Sequence, residues 1–108
     1  MDRMINHTML VRFTGDIPDA DLDQFLADIE DTTRATGALR SFAAQRHLRV
    51  PGEEKIPAFI ATVVVRLGVT DLDAFATLLA DPAVGEVFDT WRARRPFDVA
   101  WVNHPSLD

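Results

Sequence analysis

The sequence predicts an α+β domain with elements in the order β-α-β-β-α-β, forming one antiparallel sheet with helices on one face. Three observations predict it. Apolar residues alternate along several short segments, as in strands, and recur every three to four residues along two longer segments, as in amphipathic helices. Clusters of Gly, Pro and Asp separate these segments. At this length we expect one domain over residues 1–108, with its core between about residues 4 and 103.

The first strand is predicted over residues 4–13, and every second residue from Ile5 to Phe13 is apolar except His7. His7 therefore shares a strand face with four apolar neighbours. After a turn, apolar residues at helical spacing predict a helix of about 17 residues that ends near Gly37. These apolar residues are Leu22, Phe25, Leu26 and Ile29.

The second and third strands are predicted over residues 40–50 and 59–67. Residues 51–55 between them contain Pro, Gly and three charged residues, which indicates a hairpin loop. A mobile lid is the alternative interpretation of this loop. The third strand is the most apolar segment, so we expect it to lie centrally in the sheet with both faces covered.

The second helix is predicted to begin with Thr70 as its N-cap. It is interrupted at Asp81 and Pro82, because aspartate caps a helix and proline suits the first helical position. Pro96 ends the helix, and Phe97–Asn103 is predicted as the last strand. This element order is the ferredoxin-like arrangement.

The sheet face opposite the helices is also apolar. Helices can cover one face only, yet the other face carries residues that would be poorly solvated, namely Leu10, Ile60, Val64 and Val102. An exposed apolar patch of this kind usually marks an interface. The simplest partner is a second copy of the chain related by a two-fold axis, so we predict a homodimer through the sheet face.

Composition narrows the functional classes. The net charge is −6, which disfavours nucleic acid binding, and Arg92, Arg94 and Arg95 are interpreted as charges at a helix C-terminus. The chain has no cysteine, no apolar stretch long enough for a membrane span and no signal-peptide pattern. We therefore expect a soluble cytoplasmic protein with no nucleic acid or membrane partner.

The first strand resembles the start of the stress-responsive A/B barrel domain (Dabb) family, within the dimeric α+β barrel superfamily. In that family an isoleucine, any residue and a histidine precede an apolar run, a basic residue and a phenylalanine, as in residues 5–13. The Asp81-Pro82-Ala83-Val84 segment resembles the family's segment between its second and third helices. The resemblance covers about residues 4–103 and implies a homodimer, with a cavity between each sheet and its own helices.

The plant polyketide cyclases of the Dabb family suggest what such a cavity can do. Their site contains a first-strand histidine, a third-strand histidine, and a tyrosine and a basic histidine around the helix break, with no metal or organic cofactor. His7 matches the first of these, whereas Phe59, Leu78 and Val84 fall at the other three positions. Hydrocarbon side chains cannot accept a proton, so the cyclase mechanism is not available as such.

We therefore predict a pocket that binds a small apolar or aromatic molecule, with His7 as its one polar contact and no cofactor or metal. Its predicted lining is His7, Met9, Phe59, Leu78, Val84, Phe88 and Trp91. Trp101 could form a wall of the pocket as well. The spacing of Trp91 and Trp101 is also typical of core packing, which is the preferred interpretation for both. His47 is expected at the solvent or the dimer rim, and His104 on the surface.

Two other functions remain open. One is a cofactor-independent cyclase, lyase or isomerase with His7 as the catalytic base. A haem-type or cofactor-free monooxygenase is a weaker version of it, because the sequence has no haem-ligand motif. The other is a structural stress protein that needs no ligand. For His7 itself, the competing interpretation is a buried neutral imidazole that is hydrogen-bonded to the backbone or to the C-terminal tail.

Overall fold

The computed structural model describes residues 4–107 and has the predicted β-α-β-β-α-β order, with the second helix divided in two. A short 3-10 helix, Glu53–Lys55, lies in the loop between the second and third strands. The main elements are β1 (Ile5–Phe13), α1 (Asp19–Ala35), β2 (Ser41–Arg46), β3 (Val63–Val69), α2 (Leu72–Ala80), α3 (Pro82–Arg94) and β4 (Phe97–Pro105).

The four strands form one antiparallel sheet in the order β2-β3-β1-β4. The predicted central position of β3 is confirmed, and β1 is the other central strand. His7 on β1 lies opposite Leu67 of β3 and opposite Asn103 of β4. Because opposite residues in adjacent strands point to the same face, Asn103 is within reach of the histidine ring.

The hydrophobic core lies between the sheet and the helices. On β1 it takes up the predicted face, where Met9, Val11 and Phe13 are buried. The helices contribute buried residues at helical spacing, including Leu22, Phe25, Ile29, Leu78 and Trp91. Between residues 4 and 107, no helix combines the length and the hydropathy that a membrane crossing requires.

The helix ends follow local chemistry. Helix α1 has 17 residues, and Gly37, two residues beyond its end, has a φ of +79°, a conformation that glycine adopts without a steric penalty. The break between α2 and α3 is confirmed at Asp81, whose carboxylate accepts a hydrogen bond of 2.9 Å from the backbone N–H of Ala83. The predicted cap at Thr70 is wrong. The N-cap of α2 is Asp71, which accepts a 2.7 Å hydrogen bond from the N–H of Ala74.

Strands β2 and β3 are shorter than predicted. The ladder between β1 and β3 ends at the pair Val11 and Val63, because the Thr62 hydroxyl, rather than a backbone carbonyl, accepts the next hydrogen bond, from the N–H of Phe13 at 3.0 Å. The segment before Val63 therefore leaves the sheet, and the second half of the predicted second strand loses its partner. Leu48 in that half is 85% exposed.

The sheet face away from the helices is the outer face. Leu10, Phe59 and Val102 on this side are between 39% and 55% exposed. Arg12 is also on this side, with its guanidinium 4.4 Å from the centroid of the Phe59 ring. The predicted second apolar surface is therefore present on the isolated chain.

Candidate functional site

A cavity of about 220 Å³ lies between the helix-facing side of the sheet and the helices α2 and α3. Strands β1 and β4 form its floor, and one side of α2 and one side of α3 form its walls. The lining consists of His7, Met9, Phe75, Leu79, Val84, Gly85, Phe88, Arg92, Val99 and Trp101. Apart from His7 and Arg92, the lining side chains are hydrocarbon, aromatic or thioether groups, so the cavity favours an apolar occupant.

His7 is held in one orientation by its neighbours. Its side chain is buried, and its Nδ1 lies 2.7 Å from Oδ1 of Asn103. Its ring centroid lies 4.6 Å from that of Phe75 and 5.1 Å from that of Trp101. The hydrogen bond thus fixes which edge of the imidazole ring faces the Asn103 amide, and the two aromatic rings restrict the orientation of its plane.

The hydrogen bond to Asn103 determines where the imidazole proton lies. The amide oxygen can only accept, so Nδ1 carries the proton and Nε2 of the neutral ring keeps a free lone pair. Nε2 has no hydrogen-bond partner among residues 4–107, and this part of the chain contains no fully buried side-chain nitrogen or oxygen without one. Nε2 is therefore not fully buried, and His7 is one of the residues that line the cavity.

Burial lowers the pKa of His7 below the ordinary histidine value of 6.5, because the apolar surroundings disfavour the imidazolium ion. The hydrogen bond to Asn103 acts in the opposite direction but is the smaller effect. At neutral pH the ring is therefore uncharged. It can accept a hydrogen bond or a proton from a group in the cavity.

The structure brings together four of the seven residues predicted to form the pocket, namely His7, Met9, Val84 and Phe88. Leu78 and Trp91 do not line this cavity. Both are buried in the core, and the indole N–H of Trp91 donates a 2.9 Å hydrogen bond to Asp28 on α1. Core packing, the preferred interpretation of Trp91, is therefore what the structure shows.

Phe59 lies on the opposite side of the sheet from the cavity. It precedes β3 rather than starting it, and it packs near Leu10 and Val64 on the outer face. Phe59 was assigned to the pocket because it falls at the third-strand histidine position of the Dabb resemblance, but β3 begins four residues later, at Val63. Phe59 therefore makes no contribution to the His7 cavity.

No family model matches the chain, and no curated protein matches it. Solved structures do. A Dabb family protein from Mesorhizobium loti has a TM-score of 0.73 at 17% identity, over 98% of this chain and 99% of that chain. The chain has a Dabb-type ferredoxin-like fold.

Two further structures show the range of proteins with this fold. A dimeric ferredoxin-like protein of unknown function from Thermobifida fusca has a TM-score of 0.69 at 18% identity, over 94% of this chain and 90% of that chain. A variant of SnoaB, a cofactor-independent oxygenase from Streptomyces nogalater, has a TM-score of 0.72 at 15% identity, over 100% and 96% of the two chains. Structures similar to this chain thus include an enzyme and a protein of unknown function.

In this Dabb-type fold, sequence reasoning missed several cavity residues. Phe75 and Leu79 were given no place in the pocket, and Arg92 was assigned to a helix C-terminus. Gly85 attracted no functional interpretation, although α3 presents Val84, Phe88 and Arg92 at four-residue intervals beside it. Trp101 was assigned to the core but is 58% exposed at the cavity. The four-residue spacing from Val84 and Phe88 is the sequence signal that places Arg92 on the same side of α3.

The other two histidines lie away from the cavity. His47 is exposed, with its Nε2 2.6 Å from the carboxylate of Glu53 in the loop between β2 and β3. His104 lies within β4 rather than in a free tail, and its Nε2 is 2.7 Å from the Thr8 hydroxyl on the outer face. Within residues 4–107, no three His, Asp or Glu side chains converge in a way that could hold a metal ion.

Proposed function

We propose that this protein binds a small, largely apolar or aromatic molecule in the cavity beside His7. The observation that supports this most directly is the accessible Nε2 of an otherwise buried, neutral histidine in a cavity lined by hydrocarbon and aromatic groups. A ligand with one hydroxyl or N–H donor would satisfy this acceptor and bury the rest of its surface against the lining.

The volume sets the size of the ligand. An apolar cavity of about 150 Å³ in another protein is large enough for benzene. The cavity here, at about 220 Å³, therefore suits a single ring with a short substituent, or a compact pair of fused rings. Trp101 and Leu79 line the cavity and are more than half exposed, so the cavity is open to solvent and a ligand can enter without unfolding of the core.

Gly85 offers a direct test. It lies at the edge of the cavity, and a Cβ atom built on it meets no atom within 4 Å. Gly85→Leu should therefore narrow the cavity without a clash. We expect para-cresol and indole to raise the melting temperature of the wild-type protein, since a ligand of the native state stabilises it, and to have little effect on Gly85→Leu.

The matched control is Gly15→Leu, which adds the same side chain in a turn where a Cβ also meets nothing within 4 Å. This variant should respond to both probes as the wild type does. If neither probe stabilises the wild type at millimolar concentration, the ligand-binding proposal is wrong and a structural role is favoured. An unchanged response in Gly85→Leu would place the bound probe elsewhere.

A second candidate function is a cofactor-independent enzyme with His7 as the base. The observation that favours it is the proton on Nδ1, which leaves Nε2 free to remove a proton from a bound substrate while Asn103 stabilises the imidazolium that forms. SnoaB is a cofactor-independent oxygenase with this fold. In this case His7→Gln should abolish turnover of a substrate that still binds, whereas a variant that retains turnover would exclude His7 as the base.

We further propose that the protein is a homodimer in which a second copy covers the outer face. The support is the exposed apolar surface around Leu10, Phe59 and Val102, together with similar structures that are described as dimeric. Burying these side chains on association contributes about 25 cal/mol per Å² of apolar surface. The His7 cavity lies on the other side of the sheet, so each protomer would carry its own site.

A further inference from the structure

The cavity has a different polar group at each end. His7 is buried and pairs with Asn103 near the end of β4. The guanidinium of Arg92 lies 4.5 Å from the centroid of Phe97 at the start of β4. Phe97 and Asn103 flank the two β4 residues that line the cavity, Val99 and Trp101, so the two polar groups approach the cavity from opposite ends.

Within residues 4–107, most of the N–H donors of Arg92 have no hydrogen-bond partner. A guanidinium carries five N–H donors. The one ion pair that Arg92 makes within residues 4–107 is a 3.7 Å contact with Asp89, whose side chain is 81% exposed. Such exposed pairs contribute little to stability and exchange readily with other partners. Stacking on Phe97 occupies one face of the guanidinium and leaves its N–H edge free.

The charges around the cavity favour an anion at this end. The protein as a whole has 17 acidic and 11 basic residues, yet the cavity lining contains one arginine and no Asp or Glu. A carboxylate beside Arg92 would therefore meet no like charge within the lining, because Asp89, the acidic partner of Arg92, does not line the cavity. The Arg92 side chain is 45% exposed, so a carboxylate there remains partly hydrated and its desolvation cost is limited.

We infer that the ligand is an elongated aromatic or aliphatic carboxylate, with its acid group on Arg92 and a hydroxyl or N–H donor directed at His7. This inference rests on the proposed function and names the class of ligand. A planar carboxylate can accept two parallel hydrogen bonds from one guanidinium, which gives Arg92 a specificity that a point charge lacks. The cavity volume admits one ring with a short chain between the two polar groups.

The test compares an acid with its uncharged analogue. Para-hydroxycinnamate and para-hydroxycinnamamide have nearly the same shape and differ in the charge of one end. By isothermal titration calorimetry, we expect wild-type protein to bind the acid about tenfold more tightly than the amide, as a hydrogen-bonded charge pair at a partly exposed site would give. Arg92→Gln should bind both equally, and Arg92→Lys should recover part of the preference.

Arg94→Gln is the matched control, since Arg94 lies in the same helical turn but stacks on Trp91 and does not line the cavity. It should keep the wild-type preference. Equal binding of acid and amide by the wild type, or a preference that survives in Arg92→Gln, would overturn the inference. If the amide binds and Gly85→Leu abolishes its binding, the proposed ligand-binding function is supported even when the inference of a carboxylate ligand fails. If neither compound binds, the inference fails, and the response to para-cresol and indole decides the proposed function separately.

Discussion

His7 combines burial, a determined tautomer and an accessible ring nitrogen at one position. Each has a separate cause: the strand alternation buries the ring, Asn103 holds the Nδ1 proton, and the cavity exposes Nε2. A histidine that served only to fill the core would not need the accessible nitrogen. The combination is what makes this residue the centre of the candidate site.

The lowered pKa of His7 predicts how stability depends on pH. In the unfolded chain the pKa is near 6.5, and in the folded protein it is lower. Between these two values the unfolded chain binds a proton that the folded chain does not, so the free energy of unfolding falls as the pH drops below about 6.5. Above about pH 6.5, His7 is neutral in both states and no longer lowers the free energy of unfolding. Urea unfolding at pH 7.5 and at pH 5.5 measures the difference.

His7→Gln removes the titrating group and should reduce this pH dependence. His47→Gln is the control, because it removes an exposed histidine from the loop between β2 and β3 and should leave the contribution of His7 intact. A His7→Gln variant with the full wild-type pH dependence between these two values would show that His7 is not the group responsible.

Alternation along β1 predicted the environment of His7, and the same pattern along β4 places Trp101 and Asn103 on one face. What the sequence could not supply was the register between the two strands, which lie more than ninety residues apart in the chain. A shift of one residue would have directed Asn103 to the outer face. The hydrogen bond that determines the tautomer therefore became visible only in the structure.

The start of helix α2 is decided between two adjacent residues. Thr70 and Asp71 both have side chains suited to capping, and they are adjacent. The structure selects Asp71 because its extended backbone, with φ of −161° and ψ of 178°, directs the carboxylate to the N–H of Ala74. Sequence patterns locate helix ends to within a few residues, and this difference of one residue lies inside that range.

The cap makes a quantitative prediction. Asp71→Ala should lower the free energy of unfolding by about 1 kcal/mol, because it leaves a backbone N–H in the first turn without its partner. Thr70→Ala, at an exposed position before the cap, should have a much smaller effect. Urea denaturation of the two variants makes the comparison. Equal losses would assign the capping role to both residues, and a loss in Thr70→Ala alone would restore the sequence-based assignment.

For the strands, the sequence pattern was less accurate than for the helices. Alternation persists through Leu48 and Val50, but the chain has no partner strand there, and both residues are exposed. The side chain of Thr62, which ends the ladder by accepting from the N–H of Phe13, is a local competitor that hydrophobic periodicity does not register. Phe59 also lies outside β3, although the family resemblance placed it at a third-strand position of the pocket.

At the scale of the whole molecule, the sheet is apolar on both faces but the helices cover one of them. This asymmetry was predictable from the alternation of side chains along each strand, because residues of the outer face alternate with residues of the core. The His7 cavity was less predictable. Its volume depends on the spacing between α3 and the sheet, which arises from packing rather than from any local pattern.

Dimerisation through the outer face predicts a specific response to charge. Leu10→Asp places a carboxylate in the centre of this face and should shift sedimentation in an analytical ultracentrifuge from dimer to monomer at micromolar concentration, since a buried unpaired charge is costly. The effect should be large because Leu10 lies on a central strand, with Val64 of β3 opposite.

Leu72→Asp is the control for this experiment. Leu72 is 59% exposed in the first turn of α2, away from the outer face, and an acidic residue is favourable there. This variant should sediment as the wild type does. A wild-type protein that is monomeric at these concentrations, or a Leu10→Asp variant that remains dimeric, would contradict the proposed interface.

The two tryptophans have an optical consequence. Trp91 is buried in the core, where its indole donates to Asp28, whereas Trp101 is 58% exposed at the cavity, in contact with the ring of His7. A molecule that enters the cavity displaces water from one indole and leaves the other in an unchanged environment. The emission of Trp101 shifts to shorter wavelength while that of Trp91 serves as an internal reference. Unlabelled protein thus reports by fluorescence on the filling of its own cavity.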